Sequence, residues 1–276
     1  MKRLIPILSL LLLLTACENA VEPVVEDAEV RYAVYGFLDM RTDHQVIRVE
    51  ALRPTILAEG DELDGVQVMV VEEGTGTRHL FRDSTGVATD GSPVSLFVAD
   101  FVPTAGRNYR LEVGRPDESP TVATTRVPEV PILQFGLTTG TADDLSQILY
   151  LISVNGAPEA VTLFYTVLVP GEDDPVTIPI NYGRLVQSPV SDLNFPVEYF
   201  SDRYIIMNTL RLDADTPGVR LQKIEMSLDL PSVEWTRVQP GNILRGHGFF
   251  ASVGRYRYTW QLDRPSLEIL GWIDGQ

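Results

Sequence analysis

Cysteine is almost missing: Cys17 is the only one in 276 residues. Such a chain makes no internal disulfide and offers no cysteine-based zinc site. Histidine is scarce as well. His44, His79 and His247 stand far apart, and none falls in a His-x-x-x-His or Glu-x-x-His spacing, so no metal centre is expected from them. Neither a Gly-x-Ser-x-Gly elbow nor a phosphate-binding glycine loop occurs. Basic residues are outnumbered, 22 Lys+Arg against 38 Asp+Glu, for a formal charge of −16. That surface repels phosphate backbones and anionic headgroups, which argues against nucleic acid as a partner. Past residue 16, no apolar pattern keeps helical spacing for a dozen residues. The sequence therefore predicts no enzyme, no catalytic residue and no cofactor.

What is present begins with an address. Met1-Lys2-Arg3 precedes an apolar stretch from Leu4 to Leu14 and then Thr15-Ala16-Cys17. Two positive charges, a short hydrophobic run and small residues before a cut site make a secretory signal over residues 1–16. The run is too short to span a bilayer, which takes about 20 apolar residues. Leu14-Thr15-Ala16-Cys17 fits the bacterial lipobox, in which the cysteine after the cut receives acyl chains, so Cys17 is expected to be lipidated and to tie the protein to a membrane. Removing residues 1–16 takes away Lys2 and Arg3 and no acid, leaving a formal −18. Residues 17–27, acidic and proline-bearing, read as a flexible tether. Glu18 stands where the inner-membrane retention signal of enteric bacteria has Asp, so the outer membrane is expected, on either face. The acids after Cys17 resemble the surface-export signal of Bacteroidota lipoproteins.

Short segments rich in Val, Ile, Leu, Tyr and Thr follow, separated by Gly, Pro, Asp and Asn. Seven strands are expected over residues 28–127: 30–38, 46–52, 66–71, 78–81, 94–98, 109–113 and 122–127. Their spacing suggests a β-sandwich of immunoglobulin-like or transthyretin-like shape, without the Cys and Trp signature of true immunoglobulin domains. Phe101-Val102-Pro103 leading through Gly106 to Tyr109 fits either a tyrosine corner or a plain core tyrosine. Val127-Pro128-Glu129-Val130-Pro131 marks a domain boundary, because prolines at this spacing stop strand pairing. The second unit, 128–276, is read as all-β too. Its expected strands are 132–137, 148–154, 161–169, 176–180, 204–212, 219–230, 233–238, 253–262 and 267–273. A larger antiparallel sandwich or a partly closed barrel would hold them.

Acids at Asp61-Glu62-Leu63-Asp64, Glu172-Asp173-Asp174 and Asp213-Ala214-Asp215 lack the spacing of a calcium loop and read as solvated turns. His44 and His79 read as solvated; His247, between two glycines, is a candidate contact residue. Tyr199, Phe200 and Tyr204 form one aromatic group, and Trp235, Phe249, Phe250, Tyr256, Tyr258 and Trp260 another. Most should be core. Phe249 and Phe250 follow a glycine-rich stretch, however, and are candidates for partner or sugar contact, together with Asn242. Alternation along a strand would bury one of the two phenylalanines.

Several segments taken in order resemble a family of Bacteroidota outer-membrane lipoproteins that carry a domain of unknown function. They are Val34-Tyr35-Gly36-Phe37-Leu38, Gly65-Val66-Gln67-Val68, Gly106-Arg107-Asn108-Tyr109-Arg110-Leu111 and Ala123-Thr124-Thr125-Arg126-Val127-Pro128. Pro240-Gly241-Asn242-Ile243 through Gly246-His247-Gly248-Phe249-Phe250 completes the set. The resemblance implies a transthyretin-like or regulatory-like first half. It also implies a role beside TonB-dependent outer-membrane transporters, next to whose genes those of the family often lie. The expected function is thus that of a lipid-anchored accessory protein assisting uptake. A structural or adhesive envelope component is the alternative, and a hydrolase of envelope polymers the third.

Overall fold

Alternation sets the first half. In His44–Ala51, Gln45, Ile47 and Val49 are buried while His44, Val46 and Arg48 face water, as a strand with one wet face requires. The computed structural model describes residues 30–52, 63–87, 93–152, 158–182, 193–213, 216–236 and 242–275. The signal segment, Cys17 and the tether lie outside them, as do Asp61, Glu62, Asp215 and Gly241.

Seven strands form where the sequence places them: Tyr32–Asp39 (β1), His44–Ala51 (β2), Gln67–Glu72 (β3), Arg78–Val87 (β4), Pro93–Asp100 (β5), Asn108–Gly114 (β6) and Thr121–Arg126 (β7). β4 is longer than expected because it turns a corner. Its first residues pair with β3, and Arg82–Val87 pair with β5. Two strand layers thereby face each other across a core that includes Val34, Leu38, Ile47, Val68, Phe97, Tyr109 and Leu111. Tyr109 is fully buried and its hydroxyl accepts the Thr104 backbone N–H at 2.9 Å, the geometry of a tyrosine corner.

The second half supplies Ile132–Thr139 (β8), Ser146–Ile152 (β9), Ala160–Leu168 (β10), Val176–Asn181 (β11), Leu193–Glu198 (β12), Arg220–Pro231 (β13), Ile243–Leu244 (β14), Gly246–Trp260 (β15) and Ile273–Asp274 (β16). Among the described residues, one large sheet runs β11-β10-β13-β15-β1-β2-β5-β4-β3-β6-β7-β14, with β16 attached to β13. A small sheet has the order β12-β9-β8. The large sheet has free ends at β11 and β14, so the partly closed barrel is not found there. Nor is it purely antiparallel. β15 returns from late in the chain and enters beside β1 in the same direction, Tyr32 opposite Gly246 through Asp39 opposite Val253. Its remainder pairs antiparallel with β13. One 15-residue strand therefore serves both halves.

Helices stand in three of the expected strand segments. Tyr199–Leu210 (α1) replaces the strand expected at 204–212. Its buried stripe is Tyr199, Asp202, Ile206 and Met207, whereas Tyr204 and Ile205 are exposed. A carboxylate inside the stripe and apolar residues outside it erase the helical period. Val233–Thr236 (α2) falls within the expected strand at 233–238, and Arg264–Ile269 (α3) overlaps the start of that at 267–273. The α3 signal was available in the sequence: Asp263 caps the Ser266 N–H at 2.9 Å, Pro265 sits in the first turn, and Gly271 follows with φ of 67°.

Two cores lie either side of the 127/128 position, with one exception: Phe250 belongs to the first. The junction is not a bare linker. Val127 and Pro128 are buried, and the carbonyls of Pro128 and Pro131 accept the hydroxyls of Tyr256 and Tyr258. Below the junction, Arg255 grips Asp229 through two bonds of 2.6 and 2.8 Å, and Arg41 from the first half reaches both Asp39 and Asp229.

Candidate functional site

The segment singled out in sequence, Asn242 to Phe250, is mostly strand rather than loop. Its glycines serve close strand contact. Gly248 has φ of 105°, and a Cβ there would lie 2.0 Å from the Val34 carbonyl oxygen. Only glycine lets β15 lie against β1 at this point. Asn242 is a staple. Its side-chain nitrogen donates to the Thr124 and Phe250 carbonyls at 2.5 and 2.6 Å, and its oxygen accepts the Phe250 N–H at 3.0 Å. With those groups committed, Asn242 ties β15 to β7 and is not placed as a contact residue. Phe250 is fully buried in the first core, so it too is withdrawn from contact. His247 is exposed and Phe249 half-buried, both on the outer face of β15.

Around Phe249 the structure assembles an aromatic surface. Tyr35 lies opposite Phe249 across the β1–β15 pair, ring centroids 5.9 Å apart and edge to face. Trp235 on α2 stands 6.0 Å from Phe249 and 5.6 Å from Phe37, again edge to face. Tyr35 and Trp235 remain 40% and 37% exposed, and Val46, opposite Phe37 on β2, 39%. Apolar groups joined in this way and left partly in water make a candidate recognition surface. Sequence reasoning named Phe249 and Trp235 but missed Tyr35 and Phe37 as their partners. The signal was in β1: Val34 and Leu38 fill one face while Tyr35 and Phe37 load the other, so the strand is apolar on both sides.

The remaining sequence candidates disperse. His79 is stacked on Phe101 at 3.7 Å rather than solvated, and burial lowers its pKa. His44 is exposed and meets the Asp100 carboxylate at 2.9 Å. Among the described residues, no three His, Cys, Asp or Glu side chains come close enough to hold a metal ion. A surface cavity of about 230 Å³ opens beside Asp143, Asp144 and Glu198, with no histidine in its wall.

A second polar cluster is buried in the second core. Asp202 on α1 accepts the hydroxyls of Tyr165 and of Tyr182, the latter at 2.6 Å. Beside it, the Tyr199 hydroxyl donates to Gln147 at 2.6 Å and accepts from the Trp260 indole at 3.2 Å. Desolvation raises the Asp202 pKa to about 6 against the pull of its two tyrosine donors, and burial raises the pKa of Tyr165, Tyr182 and Tyr199. Asp202 is 3% exposed. It pins α1 to the sheet through Tyr165 and Tyr182.

Fold and site together define a mostly β protein with a large mixed sheet, a small second sheet and an aromatic outer face. Residues 18–257 match the family described as "Domain of unknown function (DUF4249)", and the chain belongs to that family. No curated protein matches it. Among solved structures it is similar to bovine butyrophilin, at TM-score 0.23 and 9% identity, covering 84% of this chain and 99% of that one. It is also similar to a two-domain fibronectin type-III segment of chicken tenascin, at TM-score 0.19 and 10% identity, covering 80% and 94%. Likenesses this distant carry no argument about function.

Proposed function

We propose that the protein is a lipid-anchored accessory protein of the outer membrane that binds a TonB-dependent transporter and assists its uptake of ligand. One observation carries the reading: the linked rings of Tyr35, Phe37, Trp235 and Phe249, of which Tyr35 and Trp235 are exposed and Phe37 and Phe249 half-buried. Aromatic anchors at a protein contact bury large area at low entropic cost, because each has few rotors to freeze. The lipobox ending at Cys17 supplies the membrane address, and the resemblance stated above supplies the transporter. The first half, with its two facing layers and its Tyr109 corner, is read as an immunoglobulin-like or transthyretin-like module that carries this face.

A photoreactive amino acid at position 35 tests the proposal in native membranes. Crosslinking should join the protein to a TonB-dependent transporter, and Cys17→Ser should abolish the product by releasing the protein from the membrane. A product that forms with Cys17→Ser, or contains no transporter, contradicts it.

A further inference from the structure

The sheets end in several edges, and nearly all are blunted. β11 carries Pro179 and follows Glu172-Asp173-Asp174-Pro175. β12 carries Pro196 and the exposed Glu198. β14 and β16 are two residues long. Proline, charge and brevity each keep a foreign strand from pairing. Within its own length β8 has none of them, Glu129 and Pro131 standing just before it. It is the terminal strand of the small sheet, eight residues reading Ile-Leu-Gln-Phe-Gly-Leu-Thr-Thr, with no charge and no proline. Among the described residues only β9 pairs with it. It also exposes apolar bulk: Ile132 at 56%, Phe135 at 47% and Leu137 at 87%. The register with β9 shifts between Phe135 and Thr138, and Ile132 to Phe135 stay in unbroken register.

We propose that β8 is a docking edge for an extended, basic-flanked segment of a partner polypeptide, which joins the small sheet as a further strand. This inference does not depend on the aromatic face. The unpaired backbone groups of an edge strand are met by another strand, and the exposed Ile132 on one face with Phe135 on the other give such a strand apolar purchase. Charge selects the partner. From Val127 to Ile152 the chain holds Glu129, which pairs with Arg126, the acids Asp143 and Asp144, and no Lys, Arg or His. A second mature copy would bring its own formal charge of −18 against this one, whereas a basic flank is attracted.

Amide hydrogen exchange on the full mature chain tests the proposal. The probe is a synthetic peptide of about ten residues alternating threonine and valine, with two lysines at each end. At about 1 mM it should slow exchange of β8 amides by about tenfold and leave β11 and β12 unchanged. The same peptide with glutamate ends should have no effect. Gln134→Lys with Leu137→Lys, both at exposed positions, should remove the protection without changing Tm. Unaltered β8 exchange, protection confined to other strands, or equal protection by the glutamate-ended peptide would overturn the proposal. Concentration-dependent protection of β8 without peptide, lost in the lysine variant, would overturn it by making a second copy the occupant.

Discussion

The two cores are built on different terms. The first is sealed by apolar side chains from β1 to β7, completed by Phe250, and the hydroxyl of its fully buried Tyr109 accepts a backbone N–H at the rim. The second encloses a carboxylate: Asp202 with Tyr165 and Tyr182, and Tyr199 with Gln147 and Trp260 beside it. A core of the first kind encloses no carboxylate and is held by packing. One of the second kind holds a helix in place through directional bonds, at the expense of desolvating a charge. The difference teaches where each half is vulnerable.

The largest effect belongs to the first core. Phe250→Ala should destabilise the protein by about 3–5 kcal/mol, read by chemical denaturation, because a fully buried ring leaves a cavity. A loss below about 1 kcal/mol would mean that β15 does not complete that core.

The second core should respond to pH instead. The folded-state pKa of Asp202, about 6, lies above its ordinary 3.8, so the folded chain keeps a proton that the unfolded chain releases between those values. The Asp202 contribution is therefore most favourable below about pH 4, declines as pH rises through the window, and is level above about pH 7. Ionisation removes about 3 kcal/mol. Subtracting the stability curve of Asp202→Asn from that of the wild type should isolate this slope. A flat difference between pH 4 and 7 would erase the contrast between the cores.

A smaller effect sharpens the same contrast. Tyr109→Phe keeps the ring and removes only the acceptor for Thr104 N–H, so it should cost about 1 kcal/mol, with no pH dependence, in thermal melts at two pH values. A pH-dependent loss would show polar coupling in the first core as well.

The same difference decided how much could be read from sequence. Apolar cores made of strands announce themselves by alternation, so β1 to β7 and the buried Tyr109 were legible. The second half hid its helices because α1 turns Asp202 inward and Ile205 outward, and because its C-terminal cap, at φ of 56°, is Arg211 rather than a glycine. Asp263, Pro265 and Gly271 did punctuate α3 in the sequence and were outweighed by the apolar run from Leu267 to Ile273. β15 was half legible: Val253 onward alternates, but its glycines from Gly246 read as a loop until β1 was placed beside them. The aromatic face was legible only in part. Phe249 and Phe250 are neighbours in sequence, and pairing with β1 decides which enters the core. Trp235 reaches the face only because α2 folds over β15, a contact that no local pattern encodes.

The central claim is that the outer face of β1 and β15 exists for binding and not for folding. Tyr35→Ser combined with Phe249→Ser tests it most directly, with stability and transporter co-purification from native membranes measured on the same preparation. Both side chains are partly exposed, so the account predicts a loss of stability within about 1–2 kcal/mol together with loss of the co-purified transporter. A variant that unfolds, or one that stays folded and still brings down the transporter, would contradict it.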